Sequence, residues 1–358
     1  MNASPSQPHP AEWQETQGLL PTVERDLPAG RHQFHKERLM AQIHDDLDNS
    51  SSHPARTRAA KPRNPFLRRA IVLPVAACAL TGAIVTGVRM FGTSGSVTGL
   101  ATGPVLTTRI GTADVHGVSQ LLDRISLAAQ ETPSPEASAG QYIYIETKTA
   151  STHVRTVDDK SSVVSDALHT RQTWQSPDGH KGWLIEPGNT DSAGTSLDSK
   201  VEPYLNAPSY DYLATLPADP DALLKKIYTE TKGHGPSPDA EAFTTIGDLL
   251  SQSYPPGKLS AALYRAAAKI PGVVKVDDAV DAAGRHGVAV ARLDEASGQR
   301  TEWIFDKKTF TFLGERTVQV KGTSGDHGLI KPGMIVDTEA ITERAIVNGM
   351  KQTPSHTG

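Results

Sequence analysis

Ala70-Ile-Val-Leu-Pro-Val-Ala-Ala-Cys-Ala-Leu-Thr-Gly-Ala-Ile-Val-Thr-Gly-Val88 runs for 19 residues without a charged, Asn, Gln or His side chain. At about 1.5 Å per residue, such a helix covers most of a ~30 Å hydrocarbon core. A globular helix of this length normally carries a polar stripe, and this one has none. Pro74, Gly82 and Gly87 weaken a helix in water but are tolerated in a bilayer, where the alternative to internal hydrogen bonding is so costly. The stretch predicts a transmembrane helix over 70–88.

The flanks set its direction. Arg56, Arg58, Lys61, Arg63, Arg68 and Arg69 precede the span with no acid among them, whereas no basic residue lies between Arg89 and Arg109. The positive-inside rule predicts a cytoplasmic segment 1–69, with Arg63, Arg68 and Arg69 as topology anchors, and an exported remainder. Val75-Ala-Ala-Cys78 fits the loose pattern of a lipoprotein signal, yet apolar sequence continues for ten residues beyond Cys78. A lipidated chain turns polar there. We read Cys78 as a side chain within the span.

The chain has 358 residues, 36 Lys+Arg against 40 Asp+Glu, and one cysteine. Its near-neutral balance excludes a dominant nucleic-acid footprint, and a single Cys excludes an intrachain disulfide and a Cys-based zinc site. In the cytoplasmic segment, the apolar residues Leu39, Met40, Ile43 and Leu47 fall on one face of a short helix predicted over 31–47. They are candidate contacts for a partner, in the manner of an amphipathic helix in a groove. The basic linker after it is attracted to anionic lipid headgroups.

Beyond the span, 89–117 reads as a spacer, opening on a Gly/Ser/Thr-rich stretch, and 118–358 as an extracytoplasmic domain. Val118 to Ala129 suits a short helix. Gln141 to Lys148 is β-branched and aromatic, and Leu168 to Gln175 alternates before Ser176-Pro-Asp-Gly179, which suits a type I turn into a returning strand, Lys181 to Glu186. A helical insert over 219–270 follows. Asp219-Pro-Asp221 and Ser237-Pro-Asp239 supply capping residues and a helix-starting Pro, and Pro271-Gly272 closes the insert. Strands resume at Val273–Val276, Asp278–Ala283, Gly287–Asp294, Arg300–Phe305, Thr309–Lys321 and Met334–Val347, an antiparallel meander by their short connections. The expectation is an α+β fold: an antiparallel sheet, for which a half-barrel is one form, with a helical insert.

No catalytic motif emerges. Gly-x-Ser-x-Gly and His-Glu-x-x-His are absent, and the 13 His are scattered on both sides of the span, with no pair at ligand spacing beyond it. No cofactor or metal is expected, and the protein is not read as an enzyme. Tyr142, Tyr144, Trp174, Trp183 and Trp303 lie on predicted strands. They are either a sheet core or the lining of a cavity for a hydrophobic or peptide ligand roofed by the insert.

Lys36-Glu-Arg-Leu-Met40, the span, Trp174-x-Ser-Pro-Asp-Gly179, Leu216-Pro-x-Asp-Pro-Asp-Ala-Leu-Leu224, Leu263-Tyr-Arg265 with Ile270-Pro-Gly272, and Asp281-Ala-Ala-Gly284 through Glu302-Trp-Ile-Phe-Asp306 to Leu313-Gly-Glu-Arg316 make one set. On it the chain resembles an uncharacterised family of actinobacterial single-pass proteins often encoded beside extracytoplasmic-function sigma factors. The resemblance implies a sensory or anti-sigma-like membrane protein with a cytoplasmic sigma factor as partner, and brings no enzymatic role. More loosely, hairpins around a helical insert look like the half-barrels of lipoprotein carriers and envelope-stress sensors. That likeness implies the alternative of an extracytoplasmic lipid- or lipoprotein-binding module.

Overall fold

The structure, a computed structural model, describes residues 100–133, 136–157, 160–322 and 328–355. The span 70–88, the helix 31–47, Cys78 and the basic flank lie outside the described residues. Among the described residues no helix is long and apolar enough to cross a membrane.

The domain is α+β, as expected. Its sheet contains β1 (Thr102–Gly103), β2 (Ala113–Asp114), β3 (Tyr142–Val157), β4 (Lys160–Asp166), β5 (His169–Gln175), β6 (Gly182–Ile185) and β7 (Thr195–Ser196). After the helices come β8 (Val273–Val280), β9 (His286–Asp294), β10 (Gln299–Asp306), β11 (Phe312–Gln319) and β12 (Ile335–Val347). The order across the sheet is β2-β8-β9-β10-β11-β12-β3-β5-β6-β7, with β4 beside β3 and β1 beside β4. All pairs within this sheet are antiparallel. The meander from β8 to β12 thus closes back onto β3, the first long strand.

Local chemistry explains several elements. Gly179 N–H donates to Ser176 O at 2.9 Å with Gly179 at φ 81°, so the proposed turn joins β5 to β6. The helices are α1 (Val118–Glu131), α2 (Tyr210–Thr215), α3 (Pro220–Glu230), α4 (Pro238–Ser251) and α5 (Gly257–Ala267). Asp219 accepts from Ala222 N–H, and Ser237 from Ala240 N–H, each with Pro in the first turn.

Four expectations need correction. The insert begins at α2, nine residues earlier than 219, where Ser209 caps Tyr212 N–H. Val273–Val276 and Asp278–Ala283 are one strand, β8, bulged between Val276 and Ala279. The strand expected over Gln141–Lys148 runs on to Val157, and Lys160–Asp166 pairs back on it as β4. Within the expected spacer 89–117, β1 and β2 pair with β4 and β8.

All but the short α2 supply long apolar stripes to one face of the sheet, here called the front. Leu121, Leu122 and Ile125 of α1, Leu223 and Ile227 of α3, Phe243 and Ile246 of α4, and Leu259 and Leu263 of α5 are buried with Val288, Val290, Trp303 and Phe305. Ser126 Oγ donates to Ala261 O at 2.9 Å, tying α1 to α5 in the interior. The back face carries a smaller cluster of Val276, Ala279, Ala289, Ala291, Ile304 and Leu313. Beside it Glu302 is buried between Arg300 and Arg316, each with Nε 2.8 Å from a carboxylate oxygen. Residues 105–112 lie against this triad. Arg300 donates to Gly111 O at 3.0 Å and Arg316 to Thr108 Oγ1 at 3.1 Å.

Candidate functional site

The register divides the five candidate aromatics between the two faces. Trp303 points to the front, where Phe243 lies flat on it with ring centroids 3.8 Å apart. It belongs to a filled core. Ala345 stands opposite Tyr144, Tyr144 opposite Trp174, and Trp174 opposite Trp183. Residues directly opposite share a face, so these make one row across β12, β3, β5 and β6 on the back. Of the two readings of these aromatics, sheet core or cavity lining, the packing places Trp303 in the front core and Tyr142, Tyr144, Trp174 and Trp183 in a separate cluster on the back.

Tyr144 and Trp174 are buried, with centroids 5.1 Å apart, and cluster with Val347, Tyr142, Trp183 and Met350. Glu146 closes one end of the row. It accepts from Tyr144 Oη at 2.8 Å, Gln172 Nε2 at 3.0 Å and Thr342 Oγ1 at 2.8 Å. Burial, then the bond to Glu146, pushes the Tyr144 phenol well above its ordinary value.

The chain's own C-terminal residues cover this row. Trp174 Nε1–H donates to Gln352 O at 2.6 Å, and Lys351 Nζ sits 3.6 Å from the Trp183 ring centroid. Gln141 Nε2 donates to Asn348 Oδ1 at 2.9 Å. Lys351 has a left-handed backbone, φ 67°, which is uncommon for a residue with a Cβ. The role of Met350, Lys351 and Gln352 was not legible in the sequence. They form no periodic pattern, and only Asn348-Gly349 hints at a turn.

A second polar group lies on the front, between α4 and the sheet. Glu315 and Glu339 stand opposite one another on β11 and β12. Burial, then repulsion from Glu241 and Glu339, pushes the half-buried Asp248 carboxyl up to about 8. Arg344 reaches from β12 to the carbonyls of Leu250 and Ser251 at the end of α4, and burial lowers it to about 10. On β5, burial works against the charge of His169, but Glu186, 3.4 Å away, and the Ala167 carbonyl together outweigh it and hold the imidazole above its ordinary value. Among the described residues no group of three or more His, Cys, Asp or Glu is arranged to hold a metal.

Several motif residues singled out in the sequence hold the fold together. Asp281 accepts from Ala283 and Arg285 N–H in a turn with Gly284 at φ 80°. Arg285 then reaches the carbonyls of Leu313 and Ile341. Glu302 and Arg316 form the buried ion pair. Leu39, Met40, Ile43, Leu47, Arg63, Arg68 and Arg69 lie outside the described residues.

No known protein family and no curated protein matches the chain. Among solved structures, the Pseudomonas aeruginosa MucA/MucB complex is similar to it at 11% identity with a TM-score of 0.23, over 67% of this chain and 59% of that one. The chain spans less than two thirds of that chain's length. A likeness at this level leaves the function to the residues themselves.

Proposed function

We propose that this is a single-pass envelope protein, N-terminus cytoplasmic, whose extracytoplasmic α+β domain meets a protein partner at its surface. The cytoplasmic helix 31–47 engages a transcription regulator, in the manner of an anti-sigma factor. No catalytic role is part of this reading. The apolar 70–88 stretch and its one-sided basic flank support the topology, and the resemblance stated above supports the regulatory role.

The observation that carries surface recognition is the packing of the front layer. Phe243 occupies the space over Trp303, and Ile246, Leu263 and Phe305 are fully buried beside it. A lipid-binding module needs an apolar hollow there, so this packing weighs against the lipid-carrier alternative. Residues 89–99, 11 residues between the span and Leu100, extend at most about 40 Å. The domain would thus work close to the membrane surface.

The test is capture of a sigma factor by the full-length protein from solubilised membranes. The pair Leu39→Asp and Ile43→Asp removes the apolar face of the cytoplasmic helix and should abolish capture. Undiminished capture contradicts the assignment.

A further inference from the structure

The aromatic row on the back of the sheet is built like a recognition surface. It presents a tilted Tyr144–Trp174 pair, an indole N–H that reaches a main-chain carbonyl, and a second indole face that receives a cation. We propose that Tyr144, Trp174 and Trp183 form a docking shelf for a peptide bearing a lysine or arginine, and that residues 348–355 occupy it until a partner's peptide displaces them. The proposal rests on the reading that the outer domain meets a protein partner at its surface.

The seated tail defines the chemistry of the occupant. Trp174 recognises a peptide carbonyl, which any sequence supplies. Trp183 recognises a cation over its ring, here the Lys351 ammonium. Met350 packs against the same cluster. At the other end of the row Glu146 and Glu343 stand opposite each other, so the shelf favours a basic peptide over an acidic one.

The tail is suited to leave. Lys351, Gln352, Thr353 and Ser355 are exposed, while Tyr144 and Trp174 beneath are buried and Trp183 is half-buried. The segment's anchors are the Trp174 bond to Gln352 O, an exposed bond from Gln141 to Asn348, one cation over a ring and one methionine, and the exposed ones are weak. Lys351 is held in a left-handed conformation that release would relieve. Segments with few buried contacts open locally at low cost.

The test uses the full-length protein in lipid nanodiscs, a variant lacking 349–358, and a dye-labelled synthetic peptide of residues 347–355. The truncated protein should bind the peptide saturably, and the intact protein about tenfold more weakly or less, because its own tail competes. A peptide with Lys351→Glu should lose about tenfold, and one that keeps only a Met-Arg-Gln core should bind like the original. Trp183→Ala in the truncated protein should weaken binding similarly.

Absence of binding to a truncated protein that retains its circular dichroism, or equal binding by both proteins, overturns the proposal. If truncation prevents folding, the full-length double variant Met350→Asp, Lys351→Glu loosens the tail instead and should gain peptide binding; no gain overturns it equally. Dimerisation of the intact protein through exchanged tails would contradict a foreign occupant. These outcomes read the shelf alone, whereas sigma-factor capture reads the regulatory role, so each can fail without the other.

Discussion

Phe243 and Trp303 are stacked with ring centroids 3.8 Å apart and planes 2° from parallel, and this contact joins the helical layer to the middle of the sheet. Truncating Phe243→Ala leaves a hole against a fully buried indole and should cost about 3–5 kcal/mol. A denaturant titration checks it through a lower midpoint.

One turn along the same helix, Gly247 reverses the usual rule. Gly→Ala within a helix ordinarily gains about 0.5–1 kcal/mol. A Cβ at Gly247 would stand 2.6 Å from Trp303 Nε1 and 3.0 Å from Glu315 Oε2. Gly247→Ala should therefore destabilise by about 1–3 kcal/mol. Thermal melts that show a gain would refute the close packing of α4 on Trp303.

Glu302 holds two arginines that clasp residues 105–112. Glu302→Gln leaves two buried cations without their counter-charge and should cost about 3–5 kcal/mol. It should also loosen the clasp, so trypsin should cut after the exposed Arg109 faster than in the parent. An unchanged cleavage rate would mean that the triad does not hold this segment.

Stability should fall with rising pH through the acid group under α4. The Asp248 carboxyl is raised by burial and by Glu241 and Glu339 to about 8, and Glu241 is also raised, by burial, with His234 opposing. A carboxyl raised in the folded state binds more protons than the unfolded chain, so its contribution is full below about pH 4 and lost as pH climbs toward 8. Asp248→Asn should flatten this slope in unfolding titrations between pH 5 and pH 8.5, and an unaltered slope would place its origin elsewhere.

The elements legible in the sequence were those with local causes. Asp219 and Ser237 sit beside the N–H groups they cap, and the Ser176–Gly179 turn needs only its own four residues. The β3–β4 hairpin was hidden because Thr149–Val157 and Lys160–Asp166 carry few large apolar side chains, and their order comes from pairing with each other. The face of each aromatic was hidden for a different reason. A bulge between Ile341 and Glu343 shifts the parity of β12, so Arg344 reaches α4 while Ala345 joins the back row. A strand's sequence shows alternation, but its bulges decide which set faces which layer. The tail's contact with Trp174 joins residues 178 positions apart, beyond any local signal.

The central claim is that 70–88 crosses the membrane once and leaves residues 100–355 outside. Because Cys78 is the chain's one cysteine, a Cys78→Ala background allows single reporters: Val201→Cys, at a position 58% exposed on the domain, and Ser51→Cys in the N-terminal segment. A membrane-impermeant maleimide applied to intact cells should label Val201→Cys and reach Ser51→Cys only after lysis. Labelling of Ser51→Cys in intact cells with Val201→Cys protected, or protection of both, would contradict the account.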